Sequence, residues 1–267
     1  MWGKNGALLI ALLAGLGAAA ADLTRDQVIK IVIQIKRADY EGDRPALKRL
    51  SADLEPFTGD QKLASRVRYW RGFALWRRAI NGFNDKTDSQ ELRADLQSAL
   101  DEFSAVSTGE PGFADAKIGA LSCVGLIAFS VGRQDPAHMQ EFIGRARQLR
   151  KDAEAADPGN PRLEWVLGPM LWNTPIDRGG GQDKAIAAYE KGLETIRSRK
   201  AANDPLEPSW GEPELLMNLA WSKLNQKTPD VDAAEKYAKA SLELVPYWHY
   251  VRDILVAQIR EAKSKSY

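Results

Sequence analysis

The sequence predicts an all-α protein built from antiparallel helical hairpins that stack one after another. Apolar residues recur at helical spacing, and the alternation of apolar and polar residues that is typical of a strand is absent. Residues that favour helices dominate, chiefly Ala, Leu, Glu, Lys, Arg and Gln. Proline and glycine gather at intervals that divide the chain into segments of helical length. Because the connections between these segments are short, successive helices should run antiparallel and pair as hairpins.

We expect about eleven helices, with boundaries that are accurate to a few residues. The predicted ranges are 24–40, 43–54, 60–82, 88–106, 113–131, 136–156, 161–173, 182–200, 212–225, 230–245 and 247–263. Candidate caps and first-turn prolines mark three starts, at Asp43–Pro45, Asp135–Pro136 and Thr228–Asp230. The segments Gly109–Gly112 and Asp157–Pro161 contain the breakers that end a helix.

Residues 1–21 have the pattern of a secretory signal peptide. Lys4 precedes the apolar run Ala7–Leu16, and Ala18–Ala21 follow it. A membrane span requires roughly 20 apolar residues, so a retained anchor is the less favoured alternative. No cysteine follows at the cleavage point, which disfavours a lipid anchor. We therefore predict cleavage after about Ala21, a mature domain at 22–267, and a periplasmic or secreted location with no membrane span.

The composition argues against a nucleic-acid partner and against disulfide stabilisation. Lysine and arginine total 37 and aspartate and glutamate total 36, which gives a net charge of +1. Such a balance creates no field that attracts nucleic acid. The single cysteine, Cys123, cannot form an internal disulfide, and its apolar surroundings predict a place in the core.

Patterns that indicate catalysis or metal binding are absent from the sequence. His138 and His249 are far apart, and no group of His, Cys or acidic residues has the spacing of a zinc site. The glycine-rich segment Thr174–Asp183 could hold an anion at a helix start, but Asp183 opposes this and favours a long hairpin loop. We predict no catalytic residue, no cofactor and no metal. An enzyme would require scattered carboxylates to converge in three dimensions.

Small and large residues alternate along pairs of helices with a repeated spacing. Leu167 and Gly168 lie in one helix, and the next helix carries Ala185, Tyr189 and Gly192 as small, large and small residues. Small residues allow two helices to cross closely, and the large residue fills the space between neighbouring hairpins. Comparable sets are Asn218–Ala220 with Ala233, Tyr237 and Ala240; Val124-Gly125 with Gly132, Ala137 and Gly144; and Gly72 with Ala99, Phe103 and Val106.

With this spacing the chain resembles the tetratricopeptide-repeat (TPR) family over most of residues 24–263. The resemblance implies about five irregular hairpins, an α-solenoid, and a capping helix at about 247–263. Three departures from the family pattern are the long loop before Ala185, Pro169 inside a helix, and the extra length of helix 136–156. A more closed helical array is therefore an alternative to a regular superhelix.

The resemblance also implies a concave face lined by the first helix of each hairpin. The predicted groove residues are Tyr69, Phe73, Trp76, Arg162, Trp165, Trp172, Met217, Trp221 and Asn225. The alternative is that an aromatic stripe at helical spacing belongs to the core. Trp210 should pack as a hydrophobic staple before its helix. The arginines of helix 60–82 could bind a carboxylate, although a solvated helix face is the preferred interpretation.

These observations predict a non-catalytic exported interaction module that holds a protein or peptide in a concave aromatic groove. The alternative is a periplasmic small-molecule carrier. The glycine-rich loop and the following Ala185–Gly192 are similar to periplasmic TPR components associated with solute transporters, over about residues 160–200 only. The sequence identifies neither the partner nor the oligomeric state.

Overall fold

The computed structural model describes residues 5–131 and 136–265, with side chains from 22 to 130 and from 138 to 265. In chain order its α-helices are α1 Asn5–Glu41, α2 Arg44–Asp53, α3 Ala64–Asn84, α4 Ser89–Gly109, α5 Ala114–Val131, α6 Pro136–Ala156, α7 Pro161–Asn173, α8 Gln182–Ser198, α9 Glu212–Asn225, α10 Val231–Leu244 and α11 Val256–Lys265. Short 3₁₀ turns occupy Glu55–Phe57 and Ile176–Arg178, and a π-helix spans Tyr250–Leu255.

The predicted all-α class is confirmed, and most helix boundaries agree to a few residues. Helix α3 begins later than predicted because the Asp60 carboxylate accepts hydrogen bonds from the Lys62 and Leu63 amides, which holds a turn there. The predicted helix 247–263 is divided between the π-helix and α11. The side chains of the predicted signal peptide and the predicted cap Asp135 lie outside the described residues. Among the described residues, no helix has the length and apolar character of a membrane span.

Side-chain caps fix the helix starts that the sequence indicated. The Asp43 carboxylate accepts a hydrogen bond from the Ala46 amide at 2.9 Å, and Pro45 lies in the first turn of α2. Asn160 caps α7 through the Arg162 amide at 2.9 Å, and Asp230 caps α10 through the Ala233 amide at 3.0 Å. Each cap satisfies an amide that the helix itself leaves without a partner.

The helices form two layers of stacked antiparallel hairpins. The odd-numbered helices α1, α3, α5, α7 and α9 pack against one another in sequence and form the inner layer. Each even-numbered helix packs mainly against inner helices that are next to it in the chain. This arrangement is an irregular TPR-like solenoid, as predicted.

Close helix crossings occur at most, but not all, of the predicted small residues. A Cβ added to Gly168 would lie 2.0 Å from the Tyr189 ring, and one on Gly192 would lie 2.9 Å from Leu215. Ala185 and Ala220 are fully buried. These contacts hold α7, α8 and α9 together at the spacing that small residues permit.

Two parts of the predicted repeat register are wrong. Gly125 and Gly144 have open space where a side chain would stand. The close position in α5 is instead Gly119, where an added Cβ would lie 2.5 Å from the Phe103 ring. In α10 the buried residues are Ala234, Ala238 and Ser241, one position after the predicted Ala233, Tyr237 and Ala240. Alanine is common on every face of a helix, so spacing alone could not distinguish the adjacent registers.

The array closes on itself, because the first hairpin meets the end of the chain. The Tyr40 hydroxyl in α1 donates a hydrogen bond to the Glu214 carboxylate in α9 at 2.8 Å. The Tyr40 ring also packs edge-on against Trp248, with 5.1 Å between ring centroids. Beside this contact lies a buried ion pair, in which Arg77 Nε donates to both Asp39 carboxylate oxygens at 2.8 Å.

Candidate functional site

The inner face of the array is covered by the segment that connects α8 to α9. Residues 199–211 form this segment, which we call the strap. The Trp70 indole N–H in α3 donates to the Leu206 carbonyl at 2.8 Å, and the Trp210 indole N–H donates to the Tyr69 hydroxyl at 2.8 Å. Arg162 in α7 donates to the carbonyls of Pro208 and Trp210. The strap therefore runs across the inner helices and is tied to at least two of them.

Four predicted groove residues lie in an aromatic core beneath the strap. Tyr69, Phe73, Trp76 and Trp165 are at most 8% exposed. Trp210 inserts among them, with its ring centroid 5.4 Å from that of Trp165 and 5.5 Å from that of Trp76. The prediction that these four residues line an accessible groove is wrong, because the strap fills the space that an open solenoid would leave. The prediction that Trp210 is a local staple for α9 is also wrong, since it packs mainly against α3 and α7.

Arg162 is likewise committed to the strap. Its guanidinium donates to the two strap carbonyls, approaches Asp115 at 3.3 Å and lies 5.5 Å from the centroid of the Trp210 ring. Burial raises the pKa of the Asp115 carboxyl, and Arg162 opposes that shift. Arg162 therefore positions the strap and is not presented to a partner in this structure.

The arginines of α3 are engaged in ion pairs within the protein. The pairs are Arg66 with Glu110 and Glu207, Arg68 with Glu102, Arg71 with Glu55 and Glu102, Arg77 with Asp39, and Arg78 with Glu91 and Asp95. Arg77 and Arg78 are buried, at 2% and 8% exposed, so the interpretation as a solvated helix face is wrong for them. Sequence alone does not show where an arginine's carboxylate partners lie when they come from other helices.

The other predicted groove residues remain at the surface, on α7 and α9. The rings of Trp172 and Trp221 meet at 62° with their centroids 5.0 Å apart, and both are partly exposed. Met217 is partly buried on the same helix as Trp221. Asn225 is exposed, and its amide donates to the Trp221 carbonyl at 2.8 Å, which fixes the end of α9. The structure therefore brings together the part of the predicted groove that lies on these two helices.

Four exposed apolar side chains stand at or just beyond the carboxyl ends of inner helices, as the partly exposed tryptophan pair does. The odd-numbered helices run in the same direction, so their carboxyl ends lie along one edge of the array. Phe83, Phe129 and Met170 stand near the ends of α3, α5 and α7 and are 38%, 75% and 42% exposed. Ile176, just beyond α7, is 83% exposed. We call the set Phe83, Phe129, Met170, Trp172, Ile176 and Trp221 the apolar edge.

The glycine-rich loop after α7 carries Ile176, and backbone hydrogen bonds within the loop fix its conformation. The Gly180 amide donates to the Pro175 carbonyl at 3.0 Å, and the Gly181 amide donates to the Leu171 carbonyl at 2.9 Å. A side chain on Gly180 would lie 2.2 Å from the Thr174 carbonyl, so only glycine fits. Because these amides are already used, the loop offers no anion cradle. The interpretation as a structured hairpin loop is the one that the geometry supports.

The remaining chemically active side chains are dispersed. His249 Nδ1 lies 2.7 Å from the Asp253 carboxylate, in an exposed position at the π-helix. Cys123 is fully buried, and burial raises the pKa of its thiol well above the ordinary value. Within the described residues, no group of three or more His, Cys, Asp or Glu side chains could hold a metal ion.

The strap is the feature that sequence reasoning missed. The predicted helices 182–200 and 212–225 leave a connection of about a dozen residues, longer than most loops in compact domains. It also contains Trp210 and Leu206 among prolines and acidic residues. The length of this connection, together with its two large apolar residues, was the signal in the sequence that the loop packs against the inner face.

Structural comparison supports the helical fold through a neighbour with a TM-score above 0.5. No protein-family model and no curated protein matches the chain. The HusA haemophore from Porphyromonas gingivalis is structurally similar, with a TM-score of 0.58 and 17% sequence identity over 77% of this chain and 96% of that one. A thermophilic TPR protein of Thermus thermophilus gives a TM-score of 0.46 and 17% identity over 81% of this chain and 98% of that one.

Proposed function

We propose that this is a non-catalytic exported binding protein that holds an apolar segment of a protein or peptide partner against the apolar edge. The observation that carries the proposal is the partly exposed Trp172–Trp221 pair on two adjacent inner helices. Tryptophan is enriched at the energetic centres of protein interfaces because it buries a large area with little loss of side-chain freedom. Large contiguous apolar patches on the surface of a monomeric protein mark interaction sites.

The shape of the apolar edge favours an elongated partner. Its residues follow the ends of α3, α5, α7 and α9, a row of roughly 25–30 Å at the usual spacing of packed helices. Two surface cavities of about 100 and 370 Å³ lie elsewhere, by the π-helix and between α6 and α8. A helix or extended segment can contact the whole row, whereas a compact ligand would contact only part of it.

Export rests on the sequence pattern of residues 1–21, which is that of a secretory signal peptide. A mature protein that begins near Asp22 would retain the whole of the hairpin array from Val28 onwards, where the buried core begins. The periplasm or the exterior of the cell is the proposed location.

A second candidate is a carrier of a flat apolar small molecule. The HusA haemophore shares the fold, and a planar ligand could stack on the exposed part of Trp172 or Trp221. This candidate uses the same tryptophan pair but requires only the α7–α9 end of the apolar edge.

Site-specific photocrosslinking distinguishes these possibilities. A benzoylphenylalanine placed at Ile176, which is 83% exposed, should yield a discrete protein adduct in intact envelopes. The matched control is the same probe at Ile33 on α1, which is 54% exposed and outside the apolar edge. Adduct formation at both positions or at neither would contradict the protein-partner proposal.

Exposed residues also permit substitutions that leave the core intact. Met170→Asp with Ile176→Asp should abolish the adduct from a probe at Phe129, because a carboxylate in an apolar interface costs its desolvation. A titration with haemin, followed by its visible absorbance and by tryptophan quenching, tests the carrier. Saturable haemin binding that Trp172→Ala removes, without any protein adduct, would replace the first candidate by the second.

A further inference from the structure

The strap meets the inner face through charges as well as through apolar contacts. Asp204 pairs with Arg25 of α1 at 2.7 Å, and Glu207 pairs with Arg66 of α3 at 2.7 Å. Lys36 of α1 donates to the Ser209 hydroxyl at 3.2 Å. The inner face is thus cationic where the strap is acidic, and the two are complementary.

The two halves of the strap are held to different degrees. Residues 200–203 are exposed, and both ion pairs of the first half join side chains that are 21–43% exposed. Water screens such pairs, so each contributes only a few-fold to the retention of this half, and the two together contribute about tenfold. Leu206 is 1% exposed and is the buried apolar side chain of residues 199–207, whereas the buried Pro208 belongs to the second half, which Arg162 holds through the carbonyls of Pro208 and Trp210. Trp210, at 3% exposed, anchors the second half inside the aromatic core.

From this difference we infer that residues 203–207 can be displaced from the surface that they cover on α1 and α3. We call this surface, formed by Arg25, Lys36, Arg66 and Trp70, the seat. The seat accepts in their place an extended acidic segment of a partner protein, with a leucine-like residue between two carboxylates. Trp210 remains in the core as the hinge when the first half lifts. The strap then competes with the partner segment for the seat and lowers the apparent affinity of that segment.

The chemistry of the seat defines this occupant. Arg25, Lys36 and Arg66 supply three cations, and the Lys36 ammonium lies 5.6 Å from the centroid of the Trp70 ring. When Leu206 leaves, the Trp70 indole N–H loses its acceptor, and a backbone carbonyl of an extended segment restores it. Carboxylates spaced as Asp204 and Glu207 reach Arg25 and Arg66 together. A basic or neutral segment would supply neither carboxylate and would leave Arg66 with Glu110 as its carboxylate partner.

This inference does not depend on the proposed function. The seat lies on α1 and α3 under the strap, whereas the apolar edge lies at the carboxyl ends of the inner helices. A variant of the apolar edge such as Ile176→Asp should leave binding at the seat unchanged, so failure of one proposal can be recognised without failure of the other.

A peptide that copies the strap provides the test. A fluorescein-labelled peptide with the sequence of residues 202–209 is titrated against the intact protein and against Asp204→Asn with Glu207→Gln, and anisotropy reports binding. Loosening the strap should tighten binding at least tenfold. The matched control is Asp177→Asn with Asp183→Asn, which removes two exposed carboxylates outside the strap and should leave affinity unchanged.

Two more measurements test the inference. One uses a peptide whose acidic residues are replaced, and the other follows hydrogen exchange in the unaltered protein. A peptide with Asn and Gln in place of its acids should bind at least tenfold more weakly to the loosened variant. Hydrogen exchange at the Leu206 amide, which donates to the Asp204 carboxylate at 2.8 Å, should accelerate when the unaltered protein is saturated with acidic peptide. Equal affinity of the intact and loosened proteins, equal affinity of the two peptides, or unchanged exchange would each overturn the inference.

Discussion

Tyr40 and Glu214 are 174 residues apart in the chain, yet the Tyr40 hydroxyl donates a 2.8 Å hydrogen bond to the Glu214 carboxylate in the protein interior. The second carboxylate oxygen of Glu214 accepts the Gly211 amide at 2.7 Å, at the junction of the strap and α9. One side chain therefore ties the first inner helix, the last inner helix and the strap together. Closure of the array depends on this connection, because an open solenoid would leave α1 and α9 apart.

Tyr40→Phe should destabilise the protein by about 1–3 kcal/mol, the usual cost of leaving a buried acceptor without its donor. The phenyl ring keeps the packing against Trp248, so the loss reports the hydroxyl. Urea unfolding followed by circular dichroism measures the free energy. Tyr247→Phe is the matched control, because Tyr247 is 39% exposed and should change stability by less than about 0.5 kcal/mol. Equal effects of the two substitutions would show that the hydroxyl does not hold the closure.

The same carboxylate should give stability a characteristic pH dependence. Burial raises the pKa of Glu214, and the nearby Arg77 opposes the shift without cancelling it. The folded state therefore binds the proton more tightly than the unfolded state. Stability from this group is present below the ordinary glutamate pKa of about 4.3 and is lost as the pH rises towards the raised value.

Comparing the protein with Glu214→Gln isolates this contribution. The difference in unfolding free energy, native minus variant, should decrease as the pH rises from about 4 and become constant above the raised pKa. Denaturant titrations at several pH values measure it. The Glu235→Gln variant is the control, because hydrogen bonds and ion pairs with Lys239 and Lys263 lower the Glu235 pKa to about 2. Its difference should therefore increase between about pH 2 and 4.3 and be nearly constant at higher pH. A difference that increases with pH for Glu214→Gln would contradict the raised pKa.

The helices were predictable because their signals are local. Asp43 and Asp230 cap the helices that they were expected to cap, and Gly168 meets Tyr189 at the expected crossing. Each of these features depends on residues within about 30 positions, and the spacing of side chains on a helix fixes which of them meet.

The exposed residues of the candidate site were predictable only in part. Whether a side chain is exposed depends on segments that are distant in the sequence. Tyr69 and Trp165 occupy inner helices as expected, but Trp210 arrives from the strap and covers them. Nothing in the periodicity of a helix shows that a segment more than a hundred residues away will pack on it. The strap's hydrogen bonds reach α3 and the start of α7, whereas Trp172 and Trp221 lie towards the carboxyl ends of α7 and α9 and stay partly exposed.

Two glycines in inner helices provide a matched test of the helix crossings. Gly168→Ala should destabilise the protein by about 1–3 kcal/mol, because the new methyl group would meet the buried Tyr189 ring. Gly125→Ala meets open space and should stabilise the protein by up to about 1 kcal/mol through helix propensity. Thermal unfolding of both variants measures the difference. Changes of the same sign would mean that Gly168 is not at a close crossing.

Trp210 should be the most costly residue of the strap to truncate. Trp210→Ala removes a ring that packs among Phe73, Trp76 and Trp165 and leaves a cavity, which typically costs about 3–5 kcal/mol. Trp172→Ala, at the partly exposed edge, should cost substantially less, because less apolar area returns to water. Denaturant unfolding measures the free energy of both variants.

Limited proteolysis at Lys200 measures how firmly the strap is held on the inner face. Faster cleavage in Trp210→Ala than in Trp172→Ala is expected, since only the first variant loses the anchor that holds the strap on the inner face. Equal cleavage rates would show that the ion pairs of Asp204 and Glu207, and not the indole ring, retain the strap.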